Sequence, residues 1–158
     1  MEELTVFDKY LALLEDGAYL RLKEELNEDN PANVAEFIEG LTPLRQLFVF
    51  RLLIKDMAAD VFSYMDGYSQ GNIVNSITDS EIRNILDEMC LDDTVSFLSE
   101  MPANLVTKVL KNTDEKKRKL INQFLNYPED SAGSLMTIEF VELYVNMTAD
   151  SAMKLLKA

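Results

Sequence analysis

The sequence predicts an all-α fold made of short stacked helices, and two observations carry that reading. Residues 30–125 repeat an apolar pattern every twelve positions, and the corners between repeats hold residues that start helices. Cut from Asn30, the blocks begin at Asn30, Thr42, Ile54, Asp66, Thr78, Cys90, Pro102 and Asp114. Their eighth positions are Phe37, Val49, Val61, Ile73, Ile85, Phe97, Val109 and Ile121, all apolar. At 47% apolar composition, one such column arises by chance only about 0.2% of the time. The ninth positions are apolar except Asn122, and the twelfth run Leu41, Leu53, Met65, Ile77, Met89, Met101, Thr113 and Leu125.

Positions eight, nine and twelve share one face of a helix, and Val34, Ala58, Ile82 and Val106 at position five extend the stripe. Twelve residues then hold about two and a half helical turns and a corner. The corners agree with this. Asn30-Pro31 and Thr42-Pro43 place a capping residue before a proline at the first helical position. Thr78-Asp79-Ser80-Glu81 is a capping box. Helices this short are unstable alone, so each pair must lean on the next as in a small solenoid.

Before the array, Phe7, Tyr10, Leu11 and Leu14 form one helical stripe. Gly17 and Ala18 break it, and Leu20, Leu22 and Leu26 predict a second helix ending near Asn27. This pair reads as an N-terminal cap of the stack. At the other end, Lys116-Lys117-Arg118-Lys119 opens a longer helix reaching Asn126. With Lys108 and Lys111 it holds six of the 15 basic residues, read as a solvated face or as a contact with anionic headgroups or an acidic surface.

After Asn126 the pattern changes. Phe140-Val141-Glu142-Leu143-Tyr144-Val145 alternates like a strand, and Thr148 caps a helix carrying Ala152, Met153, Leu155 and Leu156. One strand and one helix make no domain. The sequence therefore divides into a helical-repeat domain over residues 1–126 and, over 127–158, a junction and the start of an incomplete α/β domain.

Composition narrows the chemistry. A net charge of −13 argues against nucleic acid and suits hard cations or a basic partner. With no histidine there is no imidazole base and no Ser–His pair, so the chain is not expected to be an enzyme. Cys90 is the only cysteine, which rules out a disulfide framework, and it reads as a small packed hydrophobe. What remains for metal binding is oxygen, which suits magnesium or calcium. The segment from Asp66 is no calcium loop, because Tyr68, Gln70 and Ile77 replace the acidic ligands. No apolar run approaches the roughly 20 residues of a membrane span. The start Met1-Glu2-Glu3-Leu4 lacks the basic residues of a signal peptide, so the piece reads as soluble and cytosolic in character.

Residues 127–137, from Tyr127-Pro128-Glu129-Asp130 through Ser131-Ala132-Gly133-Ser134-Leu135-Met136-Thr137, resemble the junction between the N-terminal helical domain and the first CBS domain of MgtE-type magnesium transporters. Val145-Asn146-Met147-Thr148-Ala149-Asp150-Ser151-Ala152-Met153 is similar to the opening of a CBS domain, and the array resembles the family's right-handed superhelix. A flagellar-motor protein shares a similar superhelix, so the junction is the more specific feature.

The resemblance implies a magnesium-sensing gate domain on the cytoplasmic side of an inner or plasma membrane transporter. Its partners would be the CBS domains and membrane pore of the same polypeptide, in a full-length homodimer. It also implies regulatory Mg2+ bound by facing carboxylates, with Asp92 and the adjacent Asp93 at one family position and Asp60 at another. A further family carboxylate falls on Ser96, and the junction's second glycine is Ser134. Without the resemblance, Asp92 or Asp93 reads as a helix cap and Asp60 as a solvent-facing charge. The second functional reading is a protein-interaction scaffold using the concave face of a solenoid.

Overall fold

In the computed structural model, the described residues are 6–128 and 130–157, so the acidic start at Met1–Leu4 and Glu129 of the junction lie outside them. The described elements are all helices: α1 (Val6–Glu15), α2 (Tyr19–Glu28), α3 (Pro31–Glu39), α4 (Pro43–Phe50), α5 (Lys55–Tyr64), α6 (Gly67–Ser76), α7 (Asp79–Glu88), α8 (Leu91–Ser99), α9 (Ala103–Lys111), α10 (Glu115–Leu125), α11 (Ala132–Leu135) and α12 (Ala149–Leu156). Helices two apart in sequence stack on each other, with α3 on α5, α5 on α7, α4 on α6 and α8 on α10.

The residues that open the eight blocks are the N-caps of α3 to α10. Asn30 Oδ1 accepts the Ala32 N–H at 2.9 Å, and Asp66 Oδ1 accepts the Ser69 N–H at 2.7 Å. The capping box forms in full: the Thr78 hydroxyl accepts the Glu81 N–H, and Glu81 Oε2 accepts the Thr78 N–H. Thr42 makes no side-chain cap bond, so Pro43, with its fixed φ, marks that start alone.

All eight residues of the eighth column are buried, none more than 6% exposed. They join one core running from Tyr10 to Phe124. Leu22 and Leu26 belong to it, but Leu20 is 82% exposed. Two residues along a helix turn the side chain by about 200°, so Leu20 cannot share the face of Leu22.

The basic run is only partly a solvated face. Lys108 Nζ donates to the Val74 carbonyl at 2.6 Å and the Ile77 carbonyl at 3.2 Å. Lys117 Nζ donates to the carbonyls of Leu86 and Met89. Each lysine thereby serves the otherwise unpaired carbonyls at the end of α6 or α7, where the helix dipole favours a cation.

Arg51, just past α4, reaches α7 through Nε–Oε1 and Nη2–Oε2 bonds to Glu81 of 2.8 and 3.2 Å. The guanidinium, aided by Thr78, holds the Glu81 carboxyl down from 4.5 to about 2 against the cost of burial. A depressed carboxyl stabilises the fold above its ordinary pKa, and that contribution is lost as pH falls toward 2. Urea unfolding between about pH 4.5 and 2 should therefore be flatter with pH in Glu81→Gln than in the wild type. The difference should not exceed about 1 kcal/mol for a pair this exposed.

The junction is built by close packing. The Tyr127 ring lies edge-on to Phe124, with centroids 5.5 Å apart. A Cβ on Gly133 would fall 2.7 Å from that ring, so only glycine permits the approach. Beyond it, the strand predicted at Phe140–Val145 does not form, and no strand exists among the described residues. A strand needs a partner to supply its backbone donors and acceptors, and no such partner is among these helices. Thr148 does cap α12, accepting the Ser151 N–H at 3.2 Å, but Met153, Leu155 and Leu156 stay exposed.

Candidate metal centre

The twelve-residue register places acidic residues at the edge of the buried stripe. Asp60 lies between buried Ala59 and Val61 on α5, and Asp92 and Asp93 lie between buried Leu91 and Thr94 in the first turn of α8. Phe62 of α5 and Phe97 of α8 lie edge-on with centroids 5.1 Å apart, which fixes the two helices beside each other. All three aspartates are exposed, although the Asp93 carboxyl is partly enclosed.

The structure brings them together with a fourth carboxylate. Glu139, from the segment after α11, accepts the Leu91 N–H through Oε2 at 2.7 Å. The Cys90 sulfur, an Asp92 oxygen and a Glu139 oxygen all lie within 4.8 Å of one another. The Asp93 carboxyl is pushed up first by burial and next by repulsion from Asp92, with Glu139 and Asp60 adding to it. A Ser63 hydroxyl opposes that rise. Asp60, Asp92, Asp93 and Glu139 thus form one electrostatic group.

Two expectations change here. Cys90 is exposed, because as N-cap it has extended backbone (φ −60°, ψ 154°) and leaves the buried helical face. Its thiol is still partly enclosed, which pushes it up first, and Glu139, Asp92 and Asp93 add to that rise. Nor is Asp92 or Asp93 the residue that caps the start of α8; the Leu91 N–H is served by Glu139. Ser96 faces solvent a turn later, its carbonyl accepting the Ser99 hydroxyl at 2.7 Å. Glu139 was not foreseen: it lies 48 residues from Leu91, just before the stretch read as a strand.

Chemically, the group offers hard oxygen donors with excess negative charge and free access to water. Those properties fit magnesium, which keeps several waters and takes one or two carboxylates directly. The ion would supply positive charge that relieves the mutual repulsion.

Comparison with known proteins agrees with the junction and the array. Residues 29–130 match the family model of the MgtE intracellular N domain. The magnesium transporter MgtE of Thermus thermophilus is 29% identical over 148 residues, spanning 91% of this chain and 33% of that protein. That of Bacillus subtilis is 23% identical over 150 residues, spanning 95% and 33%. The chain therefore covers about a third of the length of these curated relatives. Among solved structures, the cytosolic domain of the Mg2+ channel MgtE in complex with ATP matches with a TM-score of 0.80 and 28% identity, over 96% of this chain and 62% of that one. The soluble part of a magnesium transporter, at 24% identity and a TM-score of 0.83 over 96% and 60% of the two chains, shares the fold.

Proposed function

The chain belongs to the MgtE intracellular N domain family, and from that premise we infer that it is the cytosolic magnesium-sensing and gating domain of a magnesium transporter. The observation that carries this reading is the gathering of Asp60, Asp92, Asp93 and Glu139 around the start of α8, where Glu139 accepts the Leu91 N–H and stands within 4.8 Å of an Asp92 oxygen. Bare, these groups repel one another and any acidic surface brought near. With Mg2+ bound they become a bridge. The fall and rise of cytosolic magnesium would then free or hold the domain, closing the pore when the ion is plentiful.

In this reading residues 1–126 form the sensing domain, and 127–158 lead into the first CBS domain of the same polypeptide. The exposed apolar side chains of Phe140, Val141, Leu143 and α12 are those a completed α/β domain would cover. The CBS domains and the membrane pore are the partners, in a homodimer of the full-length protein. The interaction-scaffold reading draws only on the solenoid architecture.

The test is thermal unfolding of the cytosolic portion of the full-length protein, with and without millimolar Mg2+. The ion should raise the melting temperature in proportion to the logarithm of its concentration once the site is filled. An unchanged melting curve would falsify the sensing role.

A further inference from the structure

The stacking of helices two apart runs from α4 to α6 and from α8 to α10, but it lapses between α6 and α8, and α6 meets α9 instead. At this fault lies a groove of about 520 Å3. Tyr68, Asn72 and Asn75 of α6 line it, with Glu100 and Met101 at the corner after α8 and Leu105 of α9. Gly67 permits the close approach of that corner, since a Cβ there would fall 2.9 Å from Glu100 Oε2.

The groove holds polar groups that the fold does not use. Asn72 Nδ2 is buried and has no hydrogen-bond partner among the described residues, a desolvation cost that an incoming acceptor would offset. Glu100 forms no ion pair among the described residues, whereas Glu25, Glu81 and Glu88 are held by Lys9, Arg51 and Lys55. Tyr68 is 74% exposed, and its ring, Met101 and Leu105 supply apolar contact. The groove therefore suits a carbonyl oxygen, a cation and an apolar body together. Carbonyls free to accept belong to an extended chain, because those of a helix or sheet are already bonded. An arginine or lysine answers Glu100, and its stem can lie on the Tyr68 ring. This chain offers no such segment among its described irregular residues, since 136–148 hold Glu139 and Glu142 and no basic residue. A second copy brings a further net charge of −13. The charge complement is thus a different, basic polypeptide.

We propose that the groove between α6 and α9 docks an extended, basic segment of another protein. A main-chain carbonyl of that segment accepts from the Asn72 amide, and its arginine or lysine pairs with Glu100. Met101 suits the role, because its flexible thioether adapts to differing neighbours. The site lies at the opposite end of α8 from Asp92 and Asp93 and needs no metal ion.

NMR of the 158-residue chain tests this, with the end-blocked peptide Ala-Arg-Leu-Ala added to millimolar concentration. Signals of Tyr68, Asn72 and Leu105 should shift, the Asn72 side-chain amide most. Glu100→Gln should weaken the arginine peptide by about two- to fivefold, the range of an exposed ion pair, and leave Ala-Gln-Leu-Ala unaffected. Asn72→Ala should weaken both peptides by about two- to tenfold, as the loss of one hydrogen bond does. Because that change deletes a donor that bonds nothing in the free chain, Asn72→Ala should unfold in urea no earlier than the wild type. Absence of shifts at Tyr68 and Leu105 overturns the site. Shifts that spread over the acidic surface and persist unchanged in Glu100→Gln reduce the effect to counter-ion binding and overturn it too. If Asn72→Ala lowers the urea midpoint and leaves peptide binding intact, Asn72 serves the fold and the proposal falls.

Discussion

Phe62→Ala should lower the unfolding free energy by about 3–5 kcal/mol, the largest single loss expected in the array. Phe62 fills the ninth position of the third block and is 1% exposed. Its ring lies edge-on to Phe50 at 6.2 Å and to Phe97 at 5.1 Å, so truncation removes two aromatic contacts as well as buried area. Because α5 is held between α3 and α7, the cavity has little room to collapse. Against a total stability of about 5–15 kcal/mol, the loss leaves a marginal fold. Leu44→Ala, at a residue 83% exposed, should change stability by no more than about 0.5 kcal/mol. Urea unfolding followed by circular dichroism separates the two through the midpoint at constant slope. Similar midpoints for both variants would mean the centre of the array is not close-packed. Phe97 belongs to α8, so the same truncation should also loosen the contact that holds Asp60 beside Asp93.

The eighth column and the caps at Asn30 and Thr78 were legible because they are local. A solenoid unit meets only its neighbours, so a twelve-residue pattern contains most of what determines its fold. Gly133 was legible as a junction residue, although its reason, the Tyr127 ring at 2.7 Å from a would-be Cβ, needed coordinates. Asp60, Asp92 and Asp93 could be named from family resemblance, but their convergence depends on α5 and α8 lying side by side. Long-range partners were hidden. Glu139 meets Leu91 across 48 residues, and Lys108 and Lys117 meet carbonyls 28 to 34 residues away. In sequence, such a lysine cannot be told from a solvated one. Cys90 misled because composition favours burial for cysteine, whereas its extended N-cap backbone turns it outward. The strand at Phe140–Val145 was a reading of propensity, and propensity without a partner makes no sheet.

Asp92→Asn combined with Asp93→Asn should abolish the magnesium response while leaving the magnesium-free fold nearly as stable as the wild type. Two effects oppose each other without the ion. Carboxylates in the first turn of α8 each gain about 0.3–1 kcal/mol from the helix dipole, and the asparagines give that up. The substitutions also remove the repulsion that Asp92 and Asp93 exert on each other and on Glu139 and Asp60, which adds to burial in raising the Asp93 carboxyl. These terms are similar in size, so the net change should be small. With magnesium they no longer balance. An ion at a hundred times its dissociation constant stabilises the form that binds it by about 2.7 kcal/mol. For a chain of 158 residues that is several degrees of melting temperature, at about 2–4 °C per kcal/mol. The wild type should show this gain in calorimetry at neutral pH, and the double variant should not. Asp60→Asn should reduce the gain less, since Asp60 contributes least among the causes that raise Asp93. If the double variant kept the full magnesium gain, the ion would bind elsewhere on the acidic surface, and α8 would be only a well-capped helix.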